Sequence, residues 1–223
     1  MYSISELRAT LKENFDLHKP RLDCLLTLVV GLISLRTVNL AQLATVFGIQ
    51  ASIGAHYRRL QRFFGEVRLK DEMIAKIVLK LFPFKGKVTL AMDRTNWYFG
   101  KRPINILMIS INYRSISIPL IWDVLPKDGC SNYTERTNII RRMLQAFPSL
   151  EIECLTMDRE FIGKHWLQWL DAMNVRFVVR VKRNLMVTSL SGKKVHLSKL
   201  FGKANKKGRC LSKQRKKIGR AHV

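Results

Sequence analysis

The chain has 223 residues, 47% of them hydrophobic, so it carries enough apolar mass for one or two folded domains and is too apolar for a disordered tail. Its 40 Lys and Arg against 16 Asp and Glu leave a formal charge of +24, a surplus that points to a polyanionic partner. Three classes are disfavoured: the longest uncharged apolar run, CLLTLVVGLISL at 24–35, falls short of the ~20 residues a bilayer span needs, the N-terminal MYSISELRATLKENFD has no basic-then-apolar leader, and Cys24, Cys130, Cys154 and Cys210 form no CxxC pair.

A cytoplasmic protein with reduced thiols and no membrane association is therefore expected, with neither a disulfide framework nor a zinc site. Residues 1–82 read almost entirely as helix. Ser3 and Glu6 have capping-box spacing at the start of SISELRATLKENF, and Pro20 suits the first turn of a helix running to about Arg36. In TVNLAQLATVFGIQASIGAHYRRLQRFFG the pattern is that of two short helices joined at Gly48, a helix-turn-helix. Ala44 permits close approach, Ile53 and Leu60 are expected to anchor the second helix, and Arg58, Arg59 and Arg62 are left to meet phosphate or base edges. An ordinary helical hairpin with a solvated basic face fits the same segment.

After Pro83 the apolar period changes from about 3.6 to 2. Strands are predicted over KVTLAMD at 87–93, INILMISINY at 104–113 and SISIPLIWDVL at 115–125, then a helix over 132–147, a strand over 152–158, a helix over 163–173 and a strand over 175–181. The order βββαβαβ predicts an α/β ribonuclease H-like mixed sheet, preceded by an all-α N-terminal DNA-binding region. The expected divisions are 1–82 for the helical region, 83–185 for the partial catalytic core, and 186–223 for the start of a β-rich insertion and a basic tail.

A right-handed crossover would set the fourth strand parallel to the first, in the middle of the sheet. Asp93 ends the first predicted strand and Asp158 the fourth, so their carboxylates should converge at one sheet edge. Two carboxylates so close repel unless a divalent cation lies between them, the arrangement needed for two-metal phosphoryl transfer. Taken singly, each aspartate also reads as a turn residue or helix cap.

LAMDRTNWYFG around Asp93, LTMDREFIGKHW around Asp158 and the helical N-terminal region together resemble the DDE transposases of bacterial insertion sequences, in the group typified by insertion sequence four. The resemblance implies DNA cleavage and strand transfer with Mg²⁺ or Mn²⁺, on double-stranded DNA comprising transposon terminal inverted repeats and target DNA, by a homodimer on DNA in the bacterial nucleoid. It makes Asp93 and Asp158 the first two catalytic, metal-binding acids. Arg94, Asn96 and Arg159 are expected to touch DNA, and Glu160 to position a phosphate or another side chain. DNA contact and core packing are both open for Trp97, while Trp166 and Trp169 are expected to pack inward.

The third acid that the resemblance implies, a Glu on a helix with a Tyr, Arg, Glu, Lys signature, has no counterpart, because Asp171 is the last acidic residue. The segment 186–201 looks like the opening of the insertion, and 203–223 carries nine Lys or Arg without apolar periodicity. A truncated reading frame, cut near Lys216 and Lys217, is the expectation, with an exposed apolar sheet face and little strand transfer. The competing function is a non-catalytic DNA-binding fragment that occupies transposon ends and inhibits the full-length enzyme. A ribonuclease H-like nuclease shares the two aspartates but gains nothing from the helical half.

Overall fold

A computed structural model describes residues 3–82, 84–182, 184–188 and 192–196. The tail 203–223, with Cys210, Lys216 and Lys217, lies outside the described residues, as does part of the segment 186–201. The chain divides into two compact units, Met1–Phe82 and Pro83–Val223.

The first unit is helical: α1 (Ile4–Asn14), α2 (Lys19–Leu35), α3 (Leu40–Leu43), a 3-10 turn at Ala44–Val46, α4 (Ile53–Glu66) and α5 (Asp71–Leu81). Ser3 and Glu6 form the capping box, with the Glu6 N–H donating to Ser3 Oγ at 3.2 Å and the Ser3 N–H to Glu6 Oε2 at 2.6 Å. Such a cap is worth about 1 kcal/mol. Pro20 lies in the first turn of α2, which ends at Arg36 in the left-handed region (φ 52°). Leu22, Leu25, Leu26 and Leu28 of α2 share a core with Leu43, Leu60 and Phe63. Gly31 lets the neighbouring turn approach, since a Cβ there would stand 2.8 Å from Val46 Cγ2. No single helix among the described residues is long and apolar enough to cross a membrane.

One expectation fails here. Ile53 is 58% exposed and anchors nothing, although Leu60 is fully buried. The inner position at this end of α4 belongs instead to His56, whose Nε2 lies 3.1 Å from the Gly48 carbonyl oxygen and whose ring stacks on Phe47. Ser52 caps the helix through its side chain.

The second unit is a five-stranded mixed sheet in the order β3-β2-β1-β4-β5. Its elements are β1 (Val88–Phe99), β2 (Arg102–Tyr113), β3 (Ile116–Leu125), α6 (Tyr133–Ala146), β4 (Ile152–Met157), α7 (Lys164–Ala172) and β5 (Phe177–Val179), followed by a separate hairpin of β6 (Met186–Thr188) and β7 (Lys194–His196). This is the α/β sheet read from the sequence, with helices preceding it, and it is consistent with a ribonuclease H-like fold. The strands β1, β2 and β3 form an antiparallel meander, whereas β1, β4 and β5 are parallel.

Two successive crossovers, β3 to β4 and β4 to β5, advance in the same direction across the sheet. Right-handed crossovers, the rule for such connections, put α6 and α7 on one face. That face carries Leu90, Met92, Leu107 and Leu155, and the helices contribute Ile139, Met143, Trp166 and Leu167, all of them buried. Each such side chain contributes about 1.5–3 kcal/mol by leaving water. Trp166 and Trp169 stack on each other, with Arg141 over Trp169. On the opposite face Trp97, Val124 and Val178 remain exposed.

Candidate functional site

The strand β1 does not stop at Asp93, as the sequence reading had it, but runs on to Phe99, because β2 keeps pairing with it as far as Phe99↔Arg102. What stops is the parallel pairing with β4, whose last partners are Met92 and Met157. Asp93 and Asp158 therefore follow the last rung on adjacent strands, which in a sheet run about 4.8 Å apart. Side chains alternate, so both leave the face opposite Met92 and Met157. Neither is buried. Together they line an open depression of about 420 Å³ with Ala91, Met92, Thr156, Met157 and Arg180.

Both carboxylates are lightly engaged. Asp93 Oδ1 accepts from the N–H of Arg94 at 2.7 Å. Asp158 precedes the short 3-10 turn Arg159–Phe161 without capping it, and its nearest cation is Arg159, Nε to Oδ1 4.0 Å. The helix-cap reading of Asp158 thus does not describe its side chain.

Arg94 behaves differently from expectation. Strand alternation turns it toward the helix-covered face, where its side chain is 10% exposed. Its Nε and Nη2 donate to the two carboxylate oxygens of Glu160 at 3.0 and 2.9 Å, and its Nη1 to Asn96 Oδ1 and Asn105 Oδ1 at 3.1 and 3.2 Å. The hydrogen bonds to Glu160 hold the guanidinium pKa above its ordinary value. Arg94 is thus an internal tie with its guanidinium committed to protein partners, while Asn96 lends its side-chain oxygen to the same guanidinium and remains exposed. Arg136 of α6 closes the network, donating to Ser131 Oγ and O and to the Glu160 carbonyl, over the ring of Phe161. Burial lowers its pKa. Arg94, directly after Asp93, and Glu160, two residues after Asp158, thus fasten the two carboxylate-bearing segments together.

Among the other predicted contacts, Arg159 is 52% exposed beside Asp158. In the helical unit Arg58 and Arg62 face outward from α4, but Arg59 does not. It donates to the Pro20 carbonyl at 2.7 Å and covers the ring of Phe47, because its helical position falls beside the buried stripe of His56, Leu60 and Phe63. Arg59 is therefore partly engaged inside the helical unit, which spacing alone does not show. Burial raises the pKa of the nearby Cys24 thiol, outweighing the adjacent Arg59.

The sequence reading missed Arg180. The pairing of β4 with β5 ends at Met157↔Val179, so Arg180 stands in the same row as Asp93 and Asp158, just past the last parallel rungs of β1, β4 and β5. Its backbone N–H donates to the Met157 carbonyl at 3.0 Å. The signal was a charged residue directly after FVV, the same placement that marks LAMD and LTMD. Carboxyl ends of strands in open α/β sheets are where ligands bind.

Two oxygen donors, open to solvent and facing one side, suit a hard divalent cation that keeps its waters and takes phosphate oxygens as further ligands. Among the described residues no group of three His, Cys, Asp or Glu converges. Glu160 is held by Arg94, and Asp171 lies on α7. Compared with known protein families, residues 85–222 match the transposase DDE domain. No curated protein matches the chain.

Proposed function

Because the chain belongs to the transposase DDE domain family, with DNA as its partner, we propose that Asp93 and Asp158 are two carboxylates of its metal-dependent phosphoryl-transfer centre. The observation that carries this is the shared register: each aspartate follows the last rung of the β1–β4 pairing, on one open face. Mg²⁺ or Mn²⁺ held there supplies a Lewis acid to phosphodiester oxygens. The side chains of Asp93 and Asp158 bind it through oxygen. Arg180 and Arg159 flank them as cations for the DNA phosphates, and the Arg94–Glu160 pair keeps both carboxylate segments in place. Arg58 and Arg62 of α4 bind the DNA backbone, with the strong salt dependence that counterion release imposes.

The finer reading places the chain with the transposases typified by insertion sequence four, acting as a homodimer on terminal inverted repeats in the bacterial nucleoid. A second reading is favoured by one specific observation, that no third carboxylate joins the pair among the described residues. On that reading this chain occupies transposon ends without completing strand transfer and blocks the full-length enzyme. A band-shift assay on the terminal inverted repeat of the encoding element, beside a Mg²⁺-dependent nicking assay, separates the two. Salt-sensitive binding without nicking supports the occupant; nicking lost in Asp93→Asn supports the enzyme. Failure to bind DNA contradicts both.

A further inference from the structure

The pairing of β1 with β4 ends at Met92, and that of β2 with β3 ends at Asn105, so residues 97–104 form a two-stranded ribbon that projects past both neighbours. Its two faces are unlike. On one, Tyr98 donates its hydroxyl to Asp128 Oδ1 at 3.2 Å and Asn105 donates to the Lys127 and Gly129 carbonyls, which brace the ribbon against the loop 126–131. On the other stand Asp93, Thr95 and Trp97. Trp97 is 51% exposed, against 2% for Trp166, and makes no ring contact among the described residues. At the tip, Lys101 and Arg102 are exposed.

An exposed indole on a braced ribbon, with cations at its end and a carboxylate pair at its base, matches a ligand that is both flat and anionic. A nucleobase within a polyphosphate strand has both properties. Four residues of strand separate Trp97 from Asp93, roughly 13 Å at the usual rise. That distance corresponds to about four nucleotides of a stacked strand. We propose that Trp97 is a stacking platform for an unpaired base of the DNA whose phosphate lies at Asp93 and Asp158. This rests on the reading above that DNA occupies that site. The ring supplies sequence-tolerant affinity for a single-stranded or opened segment, while Lys101 and Arg102 hold the backbone beside it.

Fluorescence anisotropy with the full chain tests it, on a blunt duplex and on the same duplex bearing a single-stranded tail of about six nucleotides. Trp97→Leu keeps apolar bulk and removes the stacking face; Trp97→Phe keeps a smaller one. The expected result is that Trp97→Leu loses about tenfold in affinity for the tailed duplex and little for the blunt one, with Trp97→Phe in between. Wild-type binding of the tailed duplex by Trp97→Leu, or an equal loss on both probes, overturns the stacking assignment alone. Failure of the unmodified chain to bind either probe overturns the DNA reading and this inference together.

Discussion

The two faces of β1 differ in what their polar side chains are used for. On the helix-covered face Arg94 and Asn96 are joined to Asn105, Glu160 and Arg136, and every charge has a partner at hydrogen-bond distance. On the open face, one residue away in each case, Asp93 and Trp97 have almost none. Desolvating a charge is costly unless it is paired and bonded, so the covered face admits ions only as a network. The open face can leave carboxylates uncommitted, because water solvates them until a ligand arrives. Adjacent residues in one motif thus differ, the covered ones being committed to structure and the open ones left to solvent.

The largest effect expected of this contrast is on stability. Glu160→Ala strands the guanidinium of Arg94, whose side chain is 10% exposed, and should cost about 3 kcal/mol in urea unfolding. Asp93→Asn and Asp158→Asn, both exposed, should stay within about 0.5 kcal/mol of the parent. Similar losses in all three would erase the distinction between the faces.

The helical unit offers the same contrast on a smaller scale. Arg59→Ala removes a hydrogen bond to the Pro20 carbonyl and the cover over Phe47, and should lower thermal stability by about 1 kcal/mol. Arg58→Ala and Arg62→Ala should leave stability alone, weaken DNA binding across sequences, and each reduce the salt slope by about 1. An Arg59→Ala protein that melts normally and loses only DNA affinity would reverse this division.

The smallest effect is on thiol labelling, measured by mass spectrometry in a Cys210→Ser background. Cys130 is exposed, Cys154 is half-buried on the open sheet face opposite Thr89, and Cys24 is buried with its pKa raised. Maleimide should therefore modify Cys130 first, Cys154 next and Cys24 only on unfolding. Protection of Cys154 equal to that of Cys24 would mean that the sheet face is covered.

Strand order, both crossover helices and the row of LAMD beside LTMD were legible because they follow from period and handedness, which a linear pattern carries. Partner choice is different. Arg94 and Arg59 each look like free cations in the sequence, and only the side of the strand or helix on which they fall commits them to Glu160 and to Pro20. The length of β1 was missed for a related reason, since RTNWY has no apolar alternation and is held extended by β2. Ile53 had the right spacing for the core, but His56 filled that place.

The central claim is that Asp93 and Asp158 act on one divalent cation. Mn²⁺ titration followed by electron paramagnetic resonance tests it on the unmodified chain, Asp93→Asn, Asp158→Asn and the double variant. The account predicts that each single substitution abolishes the same bound Mn²⁺ and that the double variant loses nothing further. Retention of that Mn²⁺ by either single variant would contradict it.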